Sequence, residues 1–503
     1  MNLATIIESH PADGVALIHN DTSIPYGELR DHVDALRGGF LGLGAEPGDR
    51  VAVAAVNHPA VVETLLAALG AGLVAVPLNP TSPAPEMARE LRLVGARIVV
   101  AGPGTTSAVA AALAVGGDRV ERVVTADDFE GADLGAHVEV HTWESLLGAV
   151  PVPVVDVEPS EPAVLVHTSG TAGSPRAAIL THGNLAANID QMQAVEAIAR
   201  RSDDVTYGVL PLFHIFGLNV VLLPALAVGA TVVLVERFDP AAALDAIVTH
   251  RVTALTGPPA LWATVAAVPE LPPDTFATVR LAVSGAAKLP VEVAEAISER
   301  FGLEVREGYG LTEASPVVSQ AVGTDAPRGS IGRPLPGVQV RLVDEAGDDV
   351  LVGDVGEVHV RGPNVFPGYW EDPEATAMVL DADGWLHTGD LALVDDDGHL
   401  FIVDRLKDLV IVSGFNVVPA EVEEILVEHP SVADAGVVGV PDPRTGEALV
   451  AHVVPVSGAE IDPAEIISFV GRHLARYKCP TEVRTVSEIP RGLGGKVMRR
   501  ELA

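Results

Sequence analysis

The segment from His167 to His182, HTSGTAGSPRAAILTH, constrains the fold of this chain more than any other. Residues 168–174 are all glycine, alanine or hydroxylic, so their backbone N–H groups and hydroxyls are free to wrap an anion. The apolar run Ala163–Val166 predicts a strand just before this loop, and open α/β sheets bind ligands at such strand ends. The loop lacks the G-x-x-x-x-G-K-[ST] pattern of a Walker A motif. It therefore predicts a different anion-binding loop, with a flexible surface linker as the alternative.

Composition predicts a globular, cytoplasmic protein. The chain has 503 residues, of which 48% are hydrophobic and 20% charged, and this length suits about two to four domains. The sequence shows neither an uninterrupted membrane-spanning run nor the basic and apolar regions of a signal peptide. A net charge of −36 disfavours nucleic acid and anionic membranes as partners. The single cysteine, Cys479, excludes an internal disulfide and a cysteine-based metal cluster.

Two series of alternating strands and helices predict parallel sheets that are covered on both faces. The first series begins with the apolar strand Arg50–Ala55 and the second with Val205–Leu210. After about residue 329 the strands alternate in polarity, as in Gly356–Arg361, which predicts a small antiparallel sheet or barrel. The sequence thus predicts an α/β fold with two stacked βα subdomains, a β-barrel-like part and a last α+β unit of about 95 residues.

The segment EGYGLTE, residues 307–313, has the residue types of a nucleotide site. Its two glycines allow close backbone approach, and Tyr309 offers a face on which a base can stack. Thr312 and Glu313 supply the hard oxygen ligands that Mg²⁺ prefers. The segment predicts contacts to a purine, a phosphate and Mg²⁺, although a tight turn explains the same glycines.

Three further motifs follow along the chain. In GWLHTGD, Asp390 is a candidate partner for a ribose diol, as acidic residues are in dinucleotide sites. The charged segment DRLKD, 404–408, lies at the predicted domain junction, and Lys496 follows two glycines near the end. A hairpin, a charged linker and a surface tail are the plain structural alternatives.

Lysine is scarce, with four copies in the whole chain. A lysine kept in a chain that otherwise uses arginine can mark a place where a point charge on a flexible stem is needed. We interpret Lys288 and Lys478 as surface residues. Lys407 and Lys496 then remain as candidates for a specific role.

Together these motifs, in this order, resemble the adenylate-forming acyl- and aryl-CoA synthetases along essentially the whole chain. The matching segments are TSGTAGSPR (168–176), PLFHIFGLN (211–219), SGAAKLP (284–290), GYGLTE (308–313), GWLHTGD (384–390), DRLKDLVIVSGFNVVPAEVE (404–423) and GLGGKVMRREL (492–502). The resemblance implies a large N-terminal domain over 1–404, a hinge over 405–408 and a small mobile C-terminal lid domain over 409–503. It implies ATP, Mg²⁺ and coenzyme A as the small molecules that the chain uses.

The resemblance also assigns roles to individual residues. The implied nucleotide-binding residues are Thr168, Ser169, Gly170, Thr171, Ala172, Gly173, Arg176, Ala286, Ala287, Glu307, Gly308, Tyr309, Asp390 and Arg405. The implied catalytic residues are Lys496 for adenylation, Glu313 for Mg²⁺ with Thr171, Thr312 at the α-phosphate, and His214 as a gate beside the acyl carbon. The implied hinge is Lys407, the implied acyl pocket is His214, Ile215, Phe216, Gly217 and Val317, and the implied CoA contacts are Ser413, Gly414 and Phe415.

The sequence departs from these synthetases at several positions, among them Ala177 for a usual glycine and His167 for a frequent tyrosine. Ala172 and Arg176 stand where these synthetases usually have threonine and lysine, and arginine keeps the charge.

The run Pro211–Gly229 has one histidine and no charged residue, which disfavours an amino-acid substrate and predicts an apolar tunnel for a medium- to long-chain fatty acid. An aryl- or hydroxycinnamate-CoA ligase is the alternative, and a non-catalytic nucleotide-binding homologue is a third. A homodimer is compatible with the sequence.

Overall fold

The protein is described by a computed structural model that covers residues 2–117, 119–127, 138–169, 175–269, 271–344, 346–405, 410–417, 419–490, 497, 499 and 502. Its strands, in chain order, are β1 Val15–His19, β2 Thr22–Pro25, β3 Arg50–Ala54, β4 Val74–Leu78, β5 Ile98–Ala101, β6 Arg122–Thr125, β7 Glu139–Thr142, β8 Pro162–Ser169, β9 Pro175–Thr181, β10 Val205–Gly208, β11 Thr231–Leu234, β12 Ala254–Gly257, β13 Leu281–Ser284, β14 Arg306–Gly310, β15 Val317–Gln320, β16 Arg333–Pro334, β17 Gln339–Val343, β18 Gly356–Arg361, β19 Leu386–Val394, β20 Leu400–Arg405, β21 Val410–Val412, β22 Phe415–Val417, β23 Val432–Asp442, β24 Gly446–Pro455 and β25 Glu482–Thr485.

Helices connect most of these strands. The α-helices are α1 Tyr26–Gly42, α2 Pro59–Gly70, α3 Ala84–Val94, α4 Thr106–Gly116, α5 Trp143–Leu147, α6 His182–Gln193, α7 Leu223–Ala227, α8 Pro240–Thr249, α9 Pro259–Ala267, α10 Val291–Phe301, α11 Pro373–Val379, α12 Pro419–Val427 and α13 Pro463–His473. Short 3₁₀ helices cover Leu3–Ile7, Thr312–Ala314 and Arg476–Lys478, and a π-helix covers Gly217–Leu222. Among the described residues, no helix combines the length and the apolar character needed to cross a membrane.

Two large sheets form the first part of the chain. The first sheet has the order β7-β6-β5-β3-β4-β8-β9, in which only the β8–β9 pair is antiparallel. The second has the order β16-β15-β14-β13-β12-β10-β11-β1-β2 and is parallel across its centre, from β1 to β14. Apolar residues of both sheets and of α2 meet in one core, as expected for parallel sheets covered on both faces. The predicted pair of βα subdomains is confirmed.

Two antiparallel sheets follow. Strands β17 to β20 form a four-stranded meander in chain order. The last sheet has the order β22-β21-β24-β23, with β25 parallel to β24, and packs its own core against α12 and α13. The fold class predicted from the sequence, a large N-terminal domain with a small α+β C-terminal domain, is confirmed. The exact domain limits and the hinge stay predictions, because residues 406–409 lie outside the described residues.

One predicted helix has a different form. The spacing of apolar residues predicts a single helix over 218–227, but the π-helix Gly217–Leu222 occupies its first half and α7 its second. All six π-helical residues are buried. A π-helix is rare and occurs frequently at functional sites, and this one lies directly after His214.

Candidate active site

The predicted anion-binding loop connects the two strands of a hairpin. Strand β8 ends opposite the start of β9, with Thr168 paired to Arg176 and Ser169 to Pro175. Gly170, Thr171, Ala172 and Gly173 lie outside the described residues, as does the side chain of Ser169. The predicted strand before the loop is present, and phosphate binding by the loop remains a prediction.

Arg176 and Glu313 lie on either side of one tyrosine. The Arg176 guanidinium carbon is 5.4 Å from the centre of the Tyr369 ring, and its Nε is 3.4 Å from Asp372 Oδ2. The Tyr369 hydroxyl donates to Glu313 Oε1 at 2.6 Å. Burial and the adjacent Glu313 charge raise the pKa of Tyr369, so it remains a donor. Sequence reasoning missed Tyr369, although an aromatic residue after Pro367-Gly368 was a usable signal.

Glu313 has the chemistry that a magnesium ion needs. Its Oε1 accepts from Tyr369, and its Oε2 has no hydrogen-bond partner among the described residues. Carboxylate oxygens of this kind are normal Mg²⁺ ligands. Glu313 therefore fits the predicted metal, whereas the second predicted ligand, Thr171, is not described.

The residues predicted to hold adenosine meet at the ends of β14 and β19. The Tyr309 hydroxyl donates to Asp390 Oδ2 at 2.7 Å, and Asp390 pairs along the backbone with Arg405. The side chain of Arg405 is outside the described residues. Glu307 is buried and accepts from the Leu289 N–H at 2.9 Å. Burial raises the pKa of Glu307. Its hydrogen bond with the Leu289 N–H fixes the segment after Ala286 and Ala287.

One cavity joins the predicted nucleotide and acyl residues. The predicted residues that line it are His214, Ile215, Phe216, Ala286, Gly308, Tyr309, Thr312, Val317 and, from the predicted CoA segment, Gly414. Ala286 has a left-handed φ of 70°, which turns the chain beside this cavity. We call this space the active-site cavity.

His214 is neutral and oriented by its own loop. Its Nδ1 accepts from the Phe216 N–H at 3.2 Å, so its proton resides on Nε2. Burial lowers the pKa of His214 to about 4. The imidazole therefore offers an Nε2–H donor at neutral pH.

Gly217 does not take the predicted place in the cavity wall. A Cβ at this position would lie 2.3 Å from the Pro211 carbonyl oxygen and 2.7 Å from that of Leu210. The glycine permits close approach of two backbone segments. A larger side chain at Gly217 would therefore disturb the turn before the π-helix.

The predicted CoA segment lies where the small domain meets the large one. Phe415 stacks on Phe213, with 6.4 Å between ring centres, and meets His214 edge-on at 5.8 Å. A Cβ on Gly414 would lie 3.3 Å from Ala286 Cβ. Ser413 and Phe415 line a cavity of about 600 Å³, which we call the domain-junction cavity.

Lys478 is not the surface residue that its sequence context predicts. It is 6% exposed, and its Nζ contacts Glu86 of the large domain and, at 3.0 Å, Glu421 of the small domain. Glu86 also accepts from the Ala475 N–H at 2.8 Å. We call Lys478, Glu86 and Glu421 the buried charge cluster. Lys407 and Lys496, the two lysines predicted to act, lie outside the described residues.

Two family descriptions match the sequence. The AMP-binding enzyme family matches residues 3–370, and the AMP-binding enzyme C-terminal domain matches residues 421–496. The chain belongs to the AMP-binding enzyme family. This confirms the predicted superfamily and the predicted class of AMP-forming acid–CoA ligases.

Individual proteins match over nearly the whole chain. A feruloyl-CoA synthase from Amycolatopsis sp is 40% identical over 493 residues, covering 97% of this chain and 95% of that protein. A 3-[(3aS,4S,7aS)-7a-methyl-1,5-dioxo-octahydro-1H-inden-4-yl]propanoyl:CoA ligase from Mycobacterium tuberculosis is 36% identical over 504 residues, covering 97% and 95%. The structure of the amide bond synthetase McbA from Marinactinospora thermotolerans has a TM-score of 0.89 at 33% identity, covering 100% and 99%. The feruloyl group named in the first relative is an aryl acyl group, and the propanoyl group named in the second carries a fused-ring system.

Proposed function

We propose that this protein activates a ring-bearing carboxylic acid, of the aryl or hydroxycinnamate type, as an acyl-adenylate and transfers the acyl group to CoA. The observation that carries the proposal is the active-site cavity, which joins His214 and Phe216 on its acyl side to Tyr309 and Thr312 on its nucleotide side. The acids in the names of the two curated relatives support a ring-bearing substrate.

The first step needs positioning more than acid–base catalysis. A carboxylate is ionised at pH 7, so it attacks the α-phosphorus of ATP directly and pyrophosphate leaves. Thr312 supplies a hydroxyl donor for the phosphate, and Lys496 neutralises charge between carboxylate and phosphate. Magnesium, held by Glu313, would offset charge on the leaving pyrophosphate.

The second step exchanges AMP for CoA. The CoA thiol attacks the acyl carbon, the bond to the phosphate oxygen breaks, and AMP leaves. Phe415, which contacts His214, lies between the active-site cavity and the domain-junction cavity. We place the pantetheine of CoA along Ser413, Gly414 and Phe415. A hinge at Lys407 would then return Lys496 for the next adenylation.

Amide bond formation is a second candidate. It differs only in the group that captures the acyl-adenylate, an amine instead of the CoA thiol. The similarity to McbA along the full chain favours this candidate. Lys478 and Phe415 contact the large domain from the small one. This arrangement is compatible with CoA or with an amine as the acyl acceptor.

The test measures pyrophosphate release and product mass with ferulate, coumarate, benzoate and a series of saturated fatty acids. We expect ring-bearing acids to lead, with a CoA thioester as the product and no amide when amines replace CoA. Lys496→Ala should abolish adenylation while sparing thioester formation from supplied acyl-AMP. Fatty acids leading the panel, or amide as the main product, would refute the proposal.

A further inference from the structure

Arg200 is a buried cation in the wall of the active-site cavity. Its side chain lines the cavity, and the residue is 6% exposed. Burial lowers the pKa of Arg200 to about 10, so the guanidinium is charged at neutral pH. A buried charge is costly unless partners compensate it, and Arg200 therefore needs an explanation.

Its position is fixed on two sides. Gln193, the last residue of α6, accepts from the Arg200 N–H at 2.9 Å and donates to the Arg200 carbonyl oxygen at 2.7 Å. Arg200 Nη2 donates to the carbonyl oxygen of Val220 in the π-helix at 3.1 Å. These contacts hold the guanidinium in place before any ligand arrives.

Its charge is only partly compensated, because the nearby Asp204 carboxylate raises the pKa of Arg200 without forming an ion pair with it among the described residues. Within the part of the chain that the structure describes, Arg200 forms no ion pair, and its Nη1 is buried without a hydrogen-bond acceptor. The Asp204 carboxylate is already used, because it accepts from Arg280 Nε at 2.8 Å and from the Thr253 hydroxyl at 2.7 Å. Arg200, a residue of the cavity wall, thus keeps one buried donor without an acceptor among the described residues.

Three other buried polar atoms, on residues of the same wall, also lack partners within the described part of the chain. They are Thr256 Oγ1, Ser284 Oγ and Gln320 Oε1. Their neighbours in the wall are apolar, such as Ile198 and Leu281. Buried polar atoms are almost always hydrogen-bonded in folded proteins, so four orphans around one cavity indicate a polar ligand. A plain hydrocarbon chain would leave all four unsatisfied.

The geometry points to Arg200 as the residue that selects the substrate: we propose that it donates to an oxygen at the end of the acid remote from the reacting carboxyl group. His214 precedes the π-helix, whereas Val220, which holds Arg200, lies near its end. His214 and Arg200 therefore lie at two different depths of the cavity. A phenolic, carbonyl or carboxylate oxygen can accept this hydrogen bond. This inference rests on the proposed function and specifies its substrate class.

The experiment compares acids that differ only at the remote end. The pairs are 4-hydroxycinnamate against cinnamate, and 4-carboxycinnamate against 4-methylcinnamate. The value of kcat/KM for thioester formation is measured for the wild type, Arg200→Met and Arg200→Lys. Arg201→Met is the matched control, because Arg201 is the adjacent arginine and is exposed. The first pair tests a neutral hydroxyl oxygen on the substrate as the acceptor, and the second pair tests an anionic carboxylate oxygen.

We expect the wild type to prefer the oxygen-bearing member of at least one pair. A hydrogen bond from a charged donor corresponds to roughly a 10- to 100-fold effect. Arg200→Met should lower the preference by that factor and leave KM for ATP unchanged. Arg201→Met should keep the preference of the wild type. Arg200→Lys should retain part of it, since lysine keeps the charge without the fork.

Several outcomes would overturn the inference. An equal kcat/KM preference for the oxygen-bearing acid in the wild type and in Arg200→Met would show that Arg200 does not contact the remote end of the substrate. If the methionine variant does not fold, an unchanged preference in Arg200→Lys would overturn it too. Wild-type activity on these acids without any preference refutes this inference alone, whereas no activity on any acid refutes the proposed function with it.

Discussion

Arg200 and Lys478 are both buried cations, and they differ in what surrounds them. Lys478 contacts two carboxylates, Glu86 and Glu421, whose side chains are 4% and 6% exposed. Among the described residues, the Arg200 guanidinium donates to one backbone carbonyl, and its Nη1 has no acceptor. A buried charge with carboxylate partners is part of the folded structure, whereas one without them is available to a ligand. The partners, more than burial itself, separate a structural cation from a binding cation.

The largest expected effect is that of Lys478→Met. It leaves Glu86 and Glu421 buried without their cation, and breaking a buried pair in this way costs about 3–5 kcal/mol. Urea unfolding followed by circular dichroism measures the change in the free energy of unfolding. Lys288→Met, at an exposed lysine, is the control and should change it by less than about 0.5 kcal/mol. Equal effects in the two variants would place Lys478 on the surface in solution.

An intermediate effect concerns Glu90, which is buried beside the cluster. Burial, with the nearby Glu86 charge, raises the pKa of Glu90 to about 8. A raised carboxyl pKa means that the folded state holds the proton more tightly, so stability falls as pH rises from about 4.5 to about 8 and then levels. Glu90→Gln should remove this fall. Thermal unfolding midpoints from about pH 5 to about pH 9 test it, and parallel curves for the two proteins would contradict it.

The smallest expected effect is that of Arg200→Met on the ligand-free protein. Because no carboxylate is left unpaired, the substitution should change the free energy of unfolding by less than about 1 kcal/mol, and in the stabilising direction. The same urea experiment measures it beside Lys478→Met. A loss comparable to that of Lys478→Met would erase the distinction between the two cations.

The sequence predicted the parts of the molecule that depend on local pattern. Strand β18 has the predicted limits, Gly356–Arg361. The resemblance also placed Tyr309 and Asp390 in one site, and they are hydrogen-bonded. Both successes rest on features that a short segment carries by itself.

The failures concern long-range partners. Lys478 was interpreted as exposed because Glu86, its partner, lies 392 residues earlier in the chain. Arg200 was not recognised at all, since nothing near it in sequence indicates a cavity. Gly217 was assigned to a wall because small residues fit both a wall and a close backbone contact, and only the Pro211 carbonyl distinguishes them.

The one thiol of the chain offers a practical consequence. Cys479 is half-buried and lines the domain-junction cavity, beside Lys478. Because the sequence has a single cysteine, a maleimide dye attaches at one position without any engineering. Its emission would report any movement of the small domain against the large one during turnover. The native polypeptide therefore carries its own attachment point for an optical probe of the catalytic cycle.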